Sequence, residues 1–101
     1  MQDIMLSTIP IQDNQWRKIV RFLRTYPNVY VGKEAECRRF LEGVLWITQR
    51  DTQWRLMPRQ YGKWNTLYKR FVRWCDNGVW EAMRQHFADD PDMENFLIFI
   101  P

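Results

Sequence analysis

The sequence predicts an all-α fold, a small bundle of about five helices that ends in an apolar tail. Three observations carry this. Apolar residues recur at helical spacing through most of the chain. Asp, Asn, Gly and Pro punctuate it where helices start and stop. At 101 residues, 46% of them hydrophobic and 16% aromatic, there is material for one core and one domain.

The elements follow in order. Residues 1–11 read as an irregular arm ending at Pro10 and Ile11. Asp13 is the expected N-cap of a first helix in which Trp16, Ile19, Val20 and Leu23 share a face. That helix should stop near Thr25, ahead of Pro27. After the loop "TYPNVYVG", a second helix is expected over about Lys33 to Gln49. Its stripe is Cys37, Phe40, Leu41, Val44, Leu45 and Thr48, with Trp46 on the opposite face. Asp51 and Thr52 can cap a short helix that Pro58 keeps short and Gly62 ends. Asn65 is then the expected N-cap of a long helix from Thr66 to Asp76, closed by Asn77 and Gly78. A last helix, about Val79 to Phe87, turns Val79, Met83 and Phe87 inward. Residues 12–88 thus form the domain proper, and residues 89–101 an acidic turn and an apolar tail. The run from Phe96 to Ile100 is continuous and apolar, which usually marks a buried strand.

Net charge is only +3, but the charge is segregated. From Trp54 to Trp74 there are six cations (Arg55, Arg59, Lys63, Lys69, Arg70, Arg73) and no acid, whereas Asp76 to Glu94 holds six acids against Arg84 alone. A basic surface for an anionic partner follows, since a merely solvated helix usually mixes signs for i,i+4 pairing. On a helical wheel from Thr66, Leu67, Phe71, Trp74 and Cys75 face inward. Thr66, Lys69, Arg70 and Arg73 occupy the opposite arc. A short helix, a glycine turn and a basic helix make a helix-turn-helix, whose last helix enters the major groove of double-stranded DNA. Arginine can read guanine and Lys or Thr can meet bases or phosphates. The amides near Asn65 suit a phosphate. Arg55, Arg59 and Lys63 would clamp the backbone. Trp64 and Trp74 are expected in the core, and Tyr61 near a phosphate.

Other classes fare worse. His86 is the only histidine, and Cys37 and Cys75 form no CxxC, so a metal site, a cofactor or a nucleophile–base pair lacks its parts. Both cysteines read as small core hydrophobes in a reduced, cytoplasmic protein. There is no signal peptide and no membrane-length apolar run. No small-molecule substrate is implied either.

The residues also resemble a known family. Gln15-Trp16, Gly43 to Trp46, Trp54-Arg55-Leu56 with Pro58, Tyr61-Gly62-Lys63-Trp64, Tyr68, Arg70-Phe71, Arg73-Trp74, Gly78 and Trp80-Glu81 match a pattern of spaced tryptophans and glycines. It is the pattern of the N-terminal domain of bacterial insertion-sequence transposases of the four/five group, and the match covers about residues 12–97. The resemblance implies a helical domain that recognises terminal inverted repeats of DNA and is itself non-catalytic. In full-length members it precedes an RNase-H-like catalytic domain with three metal-binding carboxylates. The family's first such aspartate would fall where Phe99-Ile100-Pro101 stand here. The tail would then be a strand without its sheet. An alternative is a protein-interaction or regulatory module, using that tail for strand addition to a partner. Its partner would be a full-length transposase or another protein, and a second copy of the chain is a further candidate.

Overall fold

The structure is a computed structural model and describes residues 10–101. It holds five α-helices: α1 (Asp13–Thr25), α2 (Glu34–Arg50), α3 (Trp64–Asp76), α4 (Val79–His86) and α5 (Glu94–Phe99). Three single 3-10 turns separate them, at Trp54–Leu56, Arg59–Tyr61 and Pro91–Met93. No strand occurs among the described residues. The expected all-α bundle is therefore present. Of the expected arm, residues 1–9 lie outside the described residues, and Ile11 at its end is buried.

α1 starts where expected, but its cap position is Gln12 and Asp13 is its first residue. Gln15 Oε1 accepts a hydrogen bond from the Gln12 N–H at 2.9 Å, one half of a capping box. Trp16, Ile19 and Leu23 are buried on one stripe. α2 buries Cys37, Phe40, Leu41, Val44 and Leu45 against it. Asp51 closes α2 in the left-handed region, φ 50°, instead of opening the next helix, because a short polar side chain tolerates that region. The expected short helix is consequently replaced by the first two 3-10 turns. Pro58 immediately precedes the second, with its carbonyl accepting from the Tyr61 N–H at 3.2 Å.

Gly62 then takes φ 123° and ψ −173°, a conformation open to glycine and costly for other residues. This launches α3 one turn's fraction earlier than expected. Lys63 occupies the cap position and Asn65 lies inside the first turn, its Oδ1 accepting from the neighbouring Thr66 N–H. Asn77 and Gly78 close the helix as expected, and Gly78 has φ 71°. α4 buries Val79, Trp80 and Met83, followed by Phe87.

The tail differs from expectation. It is a short helix, not a strand. Met93, Phe96 and Ile100 are buried at i, i+3 and i+7, while Ile98 is 69% exposed. Long-range polar contacts secure it. Thr48 Oγ1 donates to the Phe99 carbonyl from α2. Arg84 on α4 donates to the carbonyls of Leu97 at 3.2 Å, Ile100 at 3.3 Å and Pro101 at 2.6 Å. A cation at a helix C-terminus both satisfies orphan carbonyls and complements the dipole. Gln15 Nε2 donates to the Asp92 carbonyl, and Lys18 pairs with Asp90 and Asp92, which pins the acidic turn to α1. The apolar run was thus completing this core.

Candidate nucleic-acid interface

The cations of Trp54 to Trp74 come from two structural sources, and Gly62 sets their relation. Arg55 and Arg59 project from the 3-10 turns, Lys63 from the cap position of α3, and Asn65, Thr66, Lys69 and Arg73 from α3 itself; all seven are exposed. A concavity of about 550 Å³ gathers Arg55, Arg59, Lys63, Trp64 and Asn65. On the other side of Lys63, a cleft of about 440 Å³ lies between α3 and the loop before α2, and Thr66, Arg70 and Arg73 line it. Lys63 borders both. Lys69 borders neither, but lies on the same exposed arc of α3 as Thr66 and Arg73.

Arg70 departs from its expected place. It is half-buried, and its Nη2 donates to the carbonyls of Tyr30 at 2.8 Å and Val31 at 3.2 Å. Its guanidinium carbon lies 4.9 Å from the Phe40 ring centroid and 5.8 Å from that of Trp74. Arg70 therefore fastens the α1–α2 loop to α3. The inward arc is rotated to centre on Leu67 and Trp74, so Cys75 is exposed, not core. Trp64 is 43% exposed, also against expectation, and with Tyr68 and Val72 forms an apolar ridge beside Lys69. Trp46 is half-buried under Arg50, whose guanidinium carbon stands 4.8 Å from the ring.

Sequence reasoning missed Arg39, an exposed residue of α2 that lines the same cleft as Arg73. Tyr30, Asn28 and Asn77 border it too. Nothing in a single contiguous stretch signals them, because they reach the cleft only through the folding of α1, α2 and α3 together.

Arg39, Arg55, Arg59, Lys63, Lys69 and Arg73 form no ion pair among the described residues. Elsewhere Lys18, Arg24, Arg38 and Arg84 are paired with Asp or Glu. Among the described residues Arg17, Arg21, Lys33 and the carbonyl-bound Arg70 also lack such a partner, and the first three line neither concavity. Uncompensated positive charge concentrated on one face attracts polyanions.

Burial pushes the Cys37 thiol up, keeping it protonated. His86 lies against Phe22 and Phe87, with ring centroids 4.7 and 4.6 Å away. No group of three or more His, Cys, Asp or Glu among the described residues could hold a metal ion. Among them, no helix is long and apolar enough to cross a membrane.

A small all-α domain with a face of unpaired cations is a class shared by many nucleic-acid-handling proteins. Comparison with known proteins narrows it. Residues 11–84 match the model of the family described as "Putative transposase of IS4/5 family (DUF4096)". The chain belongs to this family. "Uncharacterized protein y4sN" of Sinorhizobium fredii is 28% identical over 88 residues, 87% of this chain and 70% of that protein. No solved structure matches the chain.

Proposed function

We propose that this domain binds double-stranded DNA in sequence-specific fashion, as the end-recognising part of a transposase system, without cutting or joining strands itself. The observation that carries the reading is the set of six unpaired cations spread over α3 (Lys69, Arg73), its cap position (Lys63), the 3-10 turns before it (Arg55, Arg59) and the first half of α2 (Arg39). α2, those turns and α3 take the part of a helix-turn-helix, the turns standing where a short helix would cross the DNA backbone. Asn65, Thr66, Lys69 and Arg73 meet base edges and phosphates along α3. Arg55, Arg59, Lys63 and Arg39 hold the phosphate backbone on either side. Arg70 serves by positioning the loop that walls the cleft. Family membership supports the same reading, because transposases act on DNA.

Selection of binding sites by the purified protein from a randomised duplex library, at about physiological salt, tests it. An enriched motif is expected. Affinity for that motif should fall with salt at a slope of about −0.9 per phosphate neutralised, hence roughly −4 to −5 for the face described. Arg73→Ala should weaken binding by about 1–3 kcal/mol and relax one base position if it reads a base. A library emerging unenriched, or an unchanged isotherm for that variant, would count against the assignment.

One observation favours a second role in protein docking. The ridge of Trp64, Tyr68 and Val72 exposes apolar surface on α3 itself. A full-length transposase or a second copy would cover it, and sedimentation across a concentration series reads out self-association. Strand addition through the tail is disfavoured, since the tail is a helix that buries Phe96 and Ile100 and partly buries Leu97 and Phe99, leaving only Ile98 of the apolar run exposed.

A further inference from the structure

We infer that the cleft between α3 and the loop ahead of α2 receives one unpaired nucleotide, its base against aromatic rings and its phosphate among the cations. For the source of that nucleotide, the inference rests on the DNA-binding reading above.

The cleft has two chemically distinct parts. Its apolar part is lined by the exposed Tyr30 and the half-buried Tyr61 and Leu67, over a floor in which Phe40 and Trp74 are almost fully buried. Its rim carries Arg39, Lys63 and Arg73, none of them paired among the described residues. An inorganic anion would leave the ring surface unused, and an apolar ligand would leave the cations unanswered. A nucleotide uses both. The volume of about 440 Å³ is in the range of organic-ligand pockets, far larger than one ion needs.

Tyr30 strengthens the assignment. It is 80% exposed, the most exposed of the large hydrophobic side chains among the described residues, and it borders the cleft. Its ring rests on Gly32, where a Cβ would stand 2.8 Å from the ring's Cε2. The glycine thus lets the Cε2–Cζ edge of the ring sit close against the loop while the side chain stays exposed, available for a base to stack on. Arg70 is already fixed through Nη2 by two carbonyls and two rings, and its Nε and Nη1 have no partner among the described residues. A preset guanidinium loses little further entropy on meeting a phosphate. Glu36 also lines the cleft and would turn the phosphate toward the opposite, cationic side. A base paired within a duplex cannot offer its face to Tyr30, because neighbours cover both sides. The base must be out of the stack, at an end, a bulge or in a single strand.

The test uses the full chain and three probes containing 2-aminopurine: a duplex with one unpaired 2-aminopurine nucleotide, the same duplex fully paired, and the free 2-aminopurine nucleoside monophosphate. The unpaired duplex should bind roughly five- to a hundredfold more tightly than the paired one, as expected for one base stacked on an aromatic side chain. Its fluorescence should be quenched on binding. In Tyr30→Ala the affinity ratio should fall toward one, and Tyr30→Phe should restore it. Equal affinities with unquenched fluorescence would overturn the inference. Quenching of the free nucleotide with no duplex bound would support the cleft while removing the DNA-binding reading. Binding of no probe would remove both.

Discussion

At the scale of single residues, two neighbouring arginines that look alike in sequence have opposite duties. Arg73 is exposed and unpaired, while Arg70 is half-buried with two backbone carbonyls and two rings around its guanidinium. Removing a charged donor from such partners leaves carbonyls unsatisfied and a gap over Phe40, which costs about 2–3 kcal/mol. Arg70→Ala should therefore lower the unfolding free energy by that amount, seen as a urea midpoint at lower concentration. Arg73→Ala should leave stability within about 0.5 kcal/mol and lose DNA affinity instead. Measuring unfolding and binding on both variants separates the two roles. If Arg70→Ala unfolds like the parent chain, its fastening of the loop is not worth the contacts it makes. A wheel drawn from the sequence could not make this distinction. Apolar or aromatic side chains occupy most of α3, so the pattern allowed several inward directions. Packing against Phe40 and Trp80 chose the one centred on Leu67 and Trp74, which turned Cys75 and Trp64 outward and drew Arg70 in.

Between elements, two joints decide where the basic face points. The first is Gly62, between the 3-10 turns that carry Arg55 and Arg59 and the helix that carries Lys69 and Arg73. At φ 123°, a Cβ there would also stand 2.9 Å from Leu67 Cδ1. Gly62→Ala should cost about 1–3 kcal/mol, lowering Tm by several degrees per kcal/mol, and should misalign the two groups of cations. Thermal melts beside duplex titrations check both effects, and an unshifted Tm would show that the turn relaxes freely. The second joint is Lys18 with Asp90 and Asp92. The hydrogen bond from Lys18 holds the Asp90 carboxyl below its ordinary range, and the same bond raises the Lys18 ammonium. A depressed carboxylate stabilises the fold above its unfolded pKa of about 3.8, and that stability disappears as pH falls through the still lower folded value. The raised lysine contributes below about 10.5 and is lost above it. Asp90→Asn should thus be less stable than the parent at neutral pH, with the gap closing in strong acid; urea midpoints from pH 7 to pH 2 read this directly. Helix boundaries were legible wherever a local device set them, as with Pro27 ending α1 and Asn77-Gly78 ending α3. They were misread where a polar residue could serve either end, and Asp51 is the example.

For the whole molecule, the tail decides how independent the domain is. A run of five apolar residues has no period of its own, so the sequence invited a strand in want of a sheet. The structure supplies its partners from far along the chain: Thr48 and Arg84 take the carbonyls of α5, and Gln15 and Lys18 take the turn before it. The helical spacing of Met93, Phe96 and Ile100 was visible in the sequence, but its meaning depended on α2 and α4 offering a place to bury it. A consequence follows for any experiment that removes residues 96–101. It deletes part of the core, so a loss of binding would report unfolding and not a missing partner contact. Phe96 is 3% exposed, and truncating a buried phenylalanine costs about 3–5 kcal/mol, against a total of about 5–15 kcal/mol for a domain of this size. Phe96→Ala should accordingly lower the urea midpoint sharply, with DNA binding falling only in step with the folded fraction. Ile98→Asp, on the exposed side of the same helix, should change neither by more than about 0.5 kcal/mol. Circular dichroism on the pair, scored against duplex binding at a temperature where each is folded, makes the comparison. Equal and small effects would mean that α5 is docked too weakly to belong to the core, and the strand-addition reading of the tail would regain its footing.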